Sequence, residues 1–372
     1  MTEVQARVQK AIDRLVESGQ ETGIQVAAYR NGRQVVDAWA GVADPATGRP
    51  MGGDTLIHAY SAGKGVTATV AHVLVAQGLL DYDMPLARHW PEFAAHGKGH
   101  VTLRHALTHS AGVPQLPADI TAEQLYDWDA MCATVAGQEP LWEPGTATGY
   151  HGWTFGWLIG ETVRRATGRT ISQVLREEVA GPLGVADSLF LAVPEQELPR
   201  VATLVEGNWE ASLTALPQDL PFFLAMPNRG VWSTAELANH PAYLRAELPC
   251  GGTFSATAVA RMYAALIGEV DGVRLLAPEH TARIAAVVTG DVDRIFGRAV
   301  AKGLGYFLGL PETGGRRTAF GHNGSGGSIA FADPEHGLAV AVLHTRLTGG
   351  QENVAPQAVA DEIRAALGIV AR

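Results

Sequence analysis

Ser61 precedes Lys64 by three positions in "AYSAGKG" (59–65), where a strongly apolar run begins. A serine hydroxyl is a poor nucleophile until something takes its proton. A lysine amine can take it only when held below its ordinary pKa. On a helix, residues three apart are neighbours, with β-carbons roughly 5–6 Å apart. Val66, Val70, Val73 and Leu74 continue the run as an apolar stripe that would bury the helix and desolvate the lysine. Bringing Lys64 from about 10.4 to near 8 would cost roughly 3 kcal/mol, within reach of a buried site. With 10 serines and 4 lysines in 372 residues, chance supplies an S-x-x-K roughly 0.1 times. The chain carries one, at a helix start. A surface serine beside a surface lysine is the plain alternative.

The elements that must hold this pair are legible at both ends of the chain. "TEVQARVQKAIDRLVESG" places Val4, Val8, Ile12, Leu15 and Val16 on one helical face. "GIQVAAYRNGRQVVDAWAGVA" then reads as two strands joined at Asn31-Gly32. Near the other end, "RRTAFGHNGSGGSIAFADPEHGLAVAVLHT" offers two β-rich runs around the turn Asp333–Gly337, and "ENVAPQAVADEIRAALGIV" follows as a helix. The expectation is one antiparallel sheet built by both ends and covered by the terminal helices. From Val66 to about Val185 the patterns are mostly helical, as in "TFGWLIGETVRRATG" and "TISQVLREEVAGPLG", each stopped by glycine. "SATAVARMYAALIG" reads as another helix with Ser255 as its N-cap. Residues 186–250 are proline-rich and weakly periodic, which predicts long loops.

Composition narrows the function classes. The chain is 47% hydrophobic and 18% charged, as in a globular protein with ample material for a core. The formal charge of −10 argues against nucleic acid or an anionic membrane as a partner. "TVAHVLVAQGLL" is broken by His72 and Gln77 and is too short for a membrane span. The first residues lack the pattern of a secretory signal, and a cytoplasmic setting is expected. Cys132 and Cys250 lie far apart with no C-x-x-C, which suggests neither zinc nor a disulfide framework. No metal or cofactor is implied, and oligomeric state is not readable.

Four segments, in order, resemble the serine β-lactamase and penicillin-binding protein superfamily, most closely the family VIII carboxylesterases and related transesterases. "LIHAYSAGKGVTATVAHVLVAQGLLDYDMPLARHWPEF" is similar to that superfamily's nucleophile helix, and "VTLRHALTHSAGVP" to its L-L-T-H-T-S-G loop. "PGTATGYHGWTFGWLIGETVRRATG" matches the region of its tyrosine, and "FGHNGSGG" falls where K-T-G should lie. The resemblance implies a β-lactamase-like α/β (α+β) fold with the active site between a sheet domain and a mostly helical lobe. The boundaries would be 1–61 and 236–372 for the sheet domain and 62–235 for the lobe. It further implies Ser61 as nucleophile, Lys64 and Tyr150 as its proton-handling partners, and the backbone N–H groups of Ser61 and Ser325 as an oxyanion hole. His322, Asn323 and Gly324 take the place of K-T-G as substrate-binding residues. Trp142 and Trp153 would border the cleft, with core packing as the alternative for both.

Competing readings are bland ones. Tyr150 could be a packing aromatic, His322 a strand histidine, and "HNGSGG" a glycine-rich turn. His58, His105 and His109 are read as structural, since a Ser-Lys-Tyr site needs no histidine base. Ser110 in "THSAG" lacks the first glycine of a G-x-S-x-G elbow. The departures bear on substrate. The superfamily's Y-x-N is Tyr150-His151-Gly152 here, and the K-T-G lysine and threonine become His322 and Asn323. A histidine is mostly neutral at pH 7, so the anion-binding half of a β-lactam site is weakened while the acyl-transfer half is kept. The expectation is a serine hydrolase taking a small-molecule ester or acyl donor. The alternative is an acyltransferase on the same acyl-enzyme. A D-amino-acid peptidase, a β-lactamase and an inactive binding protein stand behind these.

Overall fold

Alternation along β1 (Gly23–Arg30) sets the architecture, because a strand points successive side chains to opposite faces. The computed structural model describes residues 2–369. β1 belongs to a seven-stranded sheet with β2 (Arg33–Asp44), β3 (Arg49–Pro50), β4 (Phe307–Leu308), β5 (Phe320–Asn323), β6 (Ile329–Asp333) and β7 (Leu338–His344). The order is β4-β5-β6-β7-β1-β2-β3, antiparallel throughout. At its centre the two ends of the chain meet, with Val26 opposite Val342. The β1–β2 turn carries Asn31 at φ 49° and Gly32 at φ 76°, the left-handed pair that a two-residue hairpin requires.

One sheet face presents Ile24, Val26, Ile329, Phe331, Val340 and Val342 to helix α1 (Glu3–Glu17) and to the C-terminal helix Ala355–Ala366. The other presents mostly alanines, Ala27, Ala330, Ala332, Ala339 and Ala341, against the helix Ala256–Ile267. Ser255 caps that helix by accepting the Ala258 N–H at 3.2 Å. These small side chains leave room for the helix, and Tyr263 lies in the same core.

The helix carrying Lys64, α2 (Lys64–Ala76), is buried all round over most of its length: every residue from Lys64 to Leu74 is buried. The expected apolar stripe understates this, because Gly65, Ala68 and Ala71 let neighbours approach on the remaining sides. A Cβ at Gly65 would stand 1.9 Å from the Tyr263 hydroxyl. Its polar side chains are satisfied inside, as burial demands. Thr69 Oγ1 donates to Gly65 O at 2.7 Å, and His72 reaches the Tyr82 hydroxyl at 2.7 Å and Leu304 O at 3.0 Å. The helix Thr154–Thr167, which follows the Tyr150 loop, packs directly on α2.

Residues 186–250 differ from the expected long loops. They hold short helices at Trp209–Ala215, Ala235–Ala238 and Pro241–Arg245. Pieces of one or two turns are too short to display a period; their signals are caps such as Thr234 and a first-turn proline such as Pro241. "TISQVLREEVA" begins as an α-turn and widens into a π-helix at Leu175–Ala180. Among the described residues no helix is long and apolar enough to cross a membrane.

Candidate active site

Ser61 lies in a 3₁₀ turn, Tyr60–Gly63, that runs straight into α2. Tyr60, immediately before it, is held at φ 43°, a conformation that costs a non-glycine residue energy and persists only where surroundings impose it. The Tyr60 hydroxyl, donating to Thr234 O, supplies part of that constraint. Lys64 Nζ lies 2.8 Å from Ser61 Oγ and 2.9 Å from the Cys250 carbonyl oxygen. The Tyr150 hydroxyl donates to Ser61 Oγ at 2.7 Å. The Lys64 ammonium is fully buried, and desolvation lowers its pKa to about 8. Burial raises the Tyr150 phenol instead, with the Ser61 hydrogen bond opposing. At pH 7.5 a group of pKa 8 is neutral about a quarter of the time, against roughly one part in a thousand for an ordinary lysine. A neutral Lys64 keeps its bond to Cys250 O and can accept the Ser61 proton.

Gly324, at the end of β5, meets this turn backbone to backbone. A Cβ there would stand 2.0 Å from Ala59 O, so only glycine permits the approach. Gly63 is pressed likewise against Gly251. The seam brings Ser325 beside Ser61. The Ser325 N–H has no acceptor among the described residues, and the first N–H groups of a helical turn lack intrahelical acceptors. The N–H groups of Ser61 and Ser325 are therefore two donors without acceptors at this seam, on residues that both line one cavity. Ser325 Oγ is fixed by the Ser233 hydroxyl at 2.8 Å.

Tyr150 is positioned by residues distant in sequence. Its N–H donates to Asp293 Oδ1 at 3.1 Å. The other Asp293 oxygen takes the buried Lys302 ammonium at 2.8 Å, and Lys302 also reaches Thr148 Oγ1 at 2.9 Å. His109 packs its ring 5.0 Å from that of Tyr150 and accepts the His151 N–H at 3.1 Å. His151 is buried, depressed to about 4, and spans from Gly149 O to the Val113 N–H. His58 pairs with Thr253, and His105 closes a capping box with Thr102. None of the four contacts Ser61 Oγ.

These groups open onto a cavity of ≈ 630 Å³. Ser61, Tyr150, His322, Asn323, Gly324, Ser325 and Trp153 line it. Trp142 does not: its ring stands edge-on to His151, 6.0 Å away, on the far side of the Tyr150 loop, where the adjacent Gly149 leaves space for it. The expected placement of Trp142 at the cleft is corrected accordingly, and Trp209 supplies a second indole instead. His322 is 1% exposed, lies 4.3 Å under Phe307, and makes an Nδ1–Asn323 O contact at 2.7 Å. Burial, aided by Lys64, lowers its pKa to about 3. The third motif therefore carries no positive charge at neutral pH.

Sequence reasoning missed the Cys250 carbonyl, the Asp293–Lys302 pair, Ser233 and the wall of Phe222, Phe296 and Phe307. Phe296 stacks on Tyr150 at 4.7 Å and reaches Phe222 at 6.4 Å. The Gly251-Gly252 dipeptide was the available signal for a close backbone approach beside Cys250. Nothing local marks Asp293 or Lys302.

Comparison with known proteins places these residues in context. A family model described as "Beta-lactamase" matches residues 8–364. The chain is 37% identical over 343 residues to the esterase/beta-lactamase LipL of Mycobacterium tuberculosis, covering 87% of this chain and 77% of that protein. Among solved structures, a family VIII carboxylesterase superposes with a TM-score of 0.87 at 34% identity, covering 97% of this chain and 98% of the other. A penicillin-binding protein homologue from Caulobacter crescentus superposes with a TM-score of 0.86 at 32% identity, covering 98% of both chains.

Proposed function

This chain belongs to the beta-lactamase family, and we propose that within it the protein is a serine esterase working through an acyl-enzyme on Ser61. The observation that carries the reading is the contact of one serine oxygen with both a pKa-depressed amine and a phenol, at 2.8 and 2.7 Å. Neutral Lys64 takes the Ser61 proton as Oγ attacks the ester carbonyl. The carbonyl oxygen, now negative, lies against the N–H groups of Ser61 and Ser325. The bond to the alcohol breaks, the Tyr150 hydroxyl protonates the leaving oxygen, and Lys64 returns the proton to Tyr150. Water then attacks the acyl-enzyme along the reverse path and frees the acid. The work requires no metal or cofactor, and a cytoplasmic setting fits it.

The neutral third motif favours esters over β-lactams. A β-lactam's carboxylate sits next to its scissile ring, where His322, at about 3, offers no cation. Short-chain p-nitrophenyl esters are expected to turn over at least a hundredfold faster than a chromogenic cephalosporin. Comparable kcat/KM values for the two would contradict the substrate assignment.

The aromatic wall supports a second outcome on the same intermediate. Trp153, Trp209, Phe222 and Phe296 line the space where water must enter, and apolar walls both bind apolar groups and exclude water. An alcohol seated there would take the acyl group as a new ester. The fraction of ester in the product, with a bulky alcohol added, separates transfer from hydrolysis.

A further inference from the structure

Two arginines line the catalytic cavity. Arg298 and Arg317 are both exposed there, in a chain of net charge −10. Among the described residues neither forms an ion pair, although most other arginines of the chain do. Each is nevertheless set in place. The Arg298 guanidinium lies 5.7 Å over the ring of Phe296, which itself stacks on Tyr150. The stem of Arg317 rests on Gly309, where a Cβ would meet its Cγ at 3.3 Å.

Neither nearby acid pairs with them. Asp293, opposite Arg298 in its hairpin, spends its oxygens on Lys302 and on the N–H groups of Tyr150, Ile295 and Phe296. Glu312, the acid that lines the cavity, is nearly buried and bonds neither arginine. Burial raises its pKa, with Arg364 opposing, which favours the uncharged form.

We propose that Arg298 and Arg317 form a subsite for an anionic group, a carboxylate or phosphate, carried by the substrate at a distance from the scissile ester. This rests on the esterase reading and names its substrate class. Guanidinium groups suit planar or tetrahedral oxyanions through paired N–H donors. The position explains why such charge need not favour β-lactams. Arg298 is separated from Ser61 by Tyr150 and Phe296, so it meets the far end of a substrate.

Two matched pairs of esters test it: p-nitrophenyl hemiglutarate against p-nitrophenyl butyrate, with the anion on the acyl side, and 4-carboxyphenyl butyrate against 4-carbamoylphenyl butyrate, with the anion on the leaving group. At low salt, one of the two anionic esters should exceed its neutral counterpart in kcat/KM by about tenfold, the worth of one charge-assisted contact. Which one does so identifies the side of the bond that faces the arginines. The ratio should collapse in Arg298→Gln/Arg317→Gln, be kept only in part in the double lysine variant, which holds the charge without the paired donors, and shrink as salt is added. A ratio near one in the natural protein, or one that survives the double glutamine change, overturns the subsite while leaving the esterase standing. Titration of p-nitrophenyl hemiglutarate into Ser61→Ala reads the same arginines without turnover. Should no ester be cleaved, weaker binding by the variant that also carries the two glutamines still supports the subsite, and equal binding overturns it.

Discussion

At the scale of single residues, the chemistry turns on the proton affinity of Lys64. Its pKa of about 8 follows from burial, the first cause, with Cys250 opposing. The attacking form is the neutral amine, so kcat/KM for a neutral ester should rise with pH and level off above about 8. The buried phenol of Tyr150 is raised, so no falling limb should appear around pH 9–10. A pH profile in which activity already levels off near 6.5 would point to a histidine and contradict the assignment of Lys64. Ser61 and Lys64 were legible because their relation is local, one helical turn. Tyr150 was legible only through resemblance, since 89 positions separate it from Ser61. The Cys250 carbonyl left no trace, because a backbone acceptor has no side-chain signature.

Among elements, the site is a junction of three: the turn before α2, the end of β5, and the loop before the helix Thr154–Thr167. Gly324 allows the first two to touch, while Gly63 and Gly251 press the same turn against the segment that carries the Cys250 carbonyl. The third is held by Asp293 and Lys302, at 0% and 1% exposed, from a hairpin with no recognisable pattern. Removing one member of a buried pair leaves the other charged and unpaired, at about 3–5 kcal/mol. Lys302→Met should therefore lower stability by that order in denaturant unfolding. In the surviving folded fraction it should reduce kcat more than it raises KM, because Tyr150 loses its anchor while the cavity walls remain. A variant of unchanged stability and kcat would show that the pair does not position Tyr150. The terminal hairpins, the capped helix at Ala256 and the buried α2 were legible from period and turn residues; the short helices of 186–250 were not, because tertiary packing shapes them.

For the molecule as a whole, a buried lysine is a standing cost. The unfolded chain keeps Lys64 protonated to about 10.4, while the folded protein releases the proton at about 8. Below pH 8 the folded state carries a penalty of about 3 kcal/mol, and it fades as pH rises from 8 to 10.4. Lys64→Met, similar in volume, should abolish activity yet raise stability near pH 7 by about 1–2 kcal/mol, the orphaned Cys250 carbonyl offsetting part of the gain. The difference in melting temperature between the two proteins should narrow toward pH 10; a destabilised methionine variant would mean that Lys64 is better solvated than its burial implies. The account as a whole rests on a covalent intermediate at one oxygen atom. Its most direct test is acid quenching during the first turnovers of a p-nitrophenyl ester, followed by peptide mass mapping. The acyl mass should sit on the peptide containing Ser61 in step with the burst of p-nitrophenolate and vanish in Ser61→Ala. Burst kinetics with the acyl group on any other residue, or an adduct that persists in Ser61→Ala, would contradict the account.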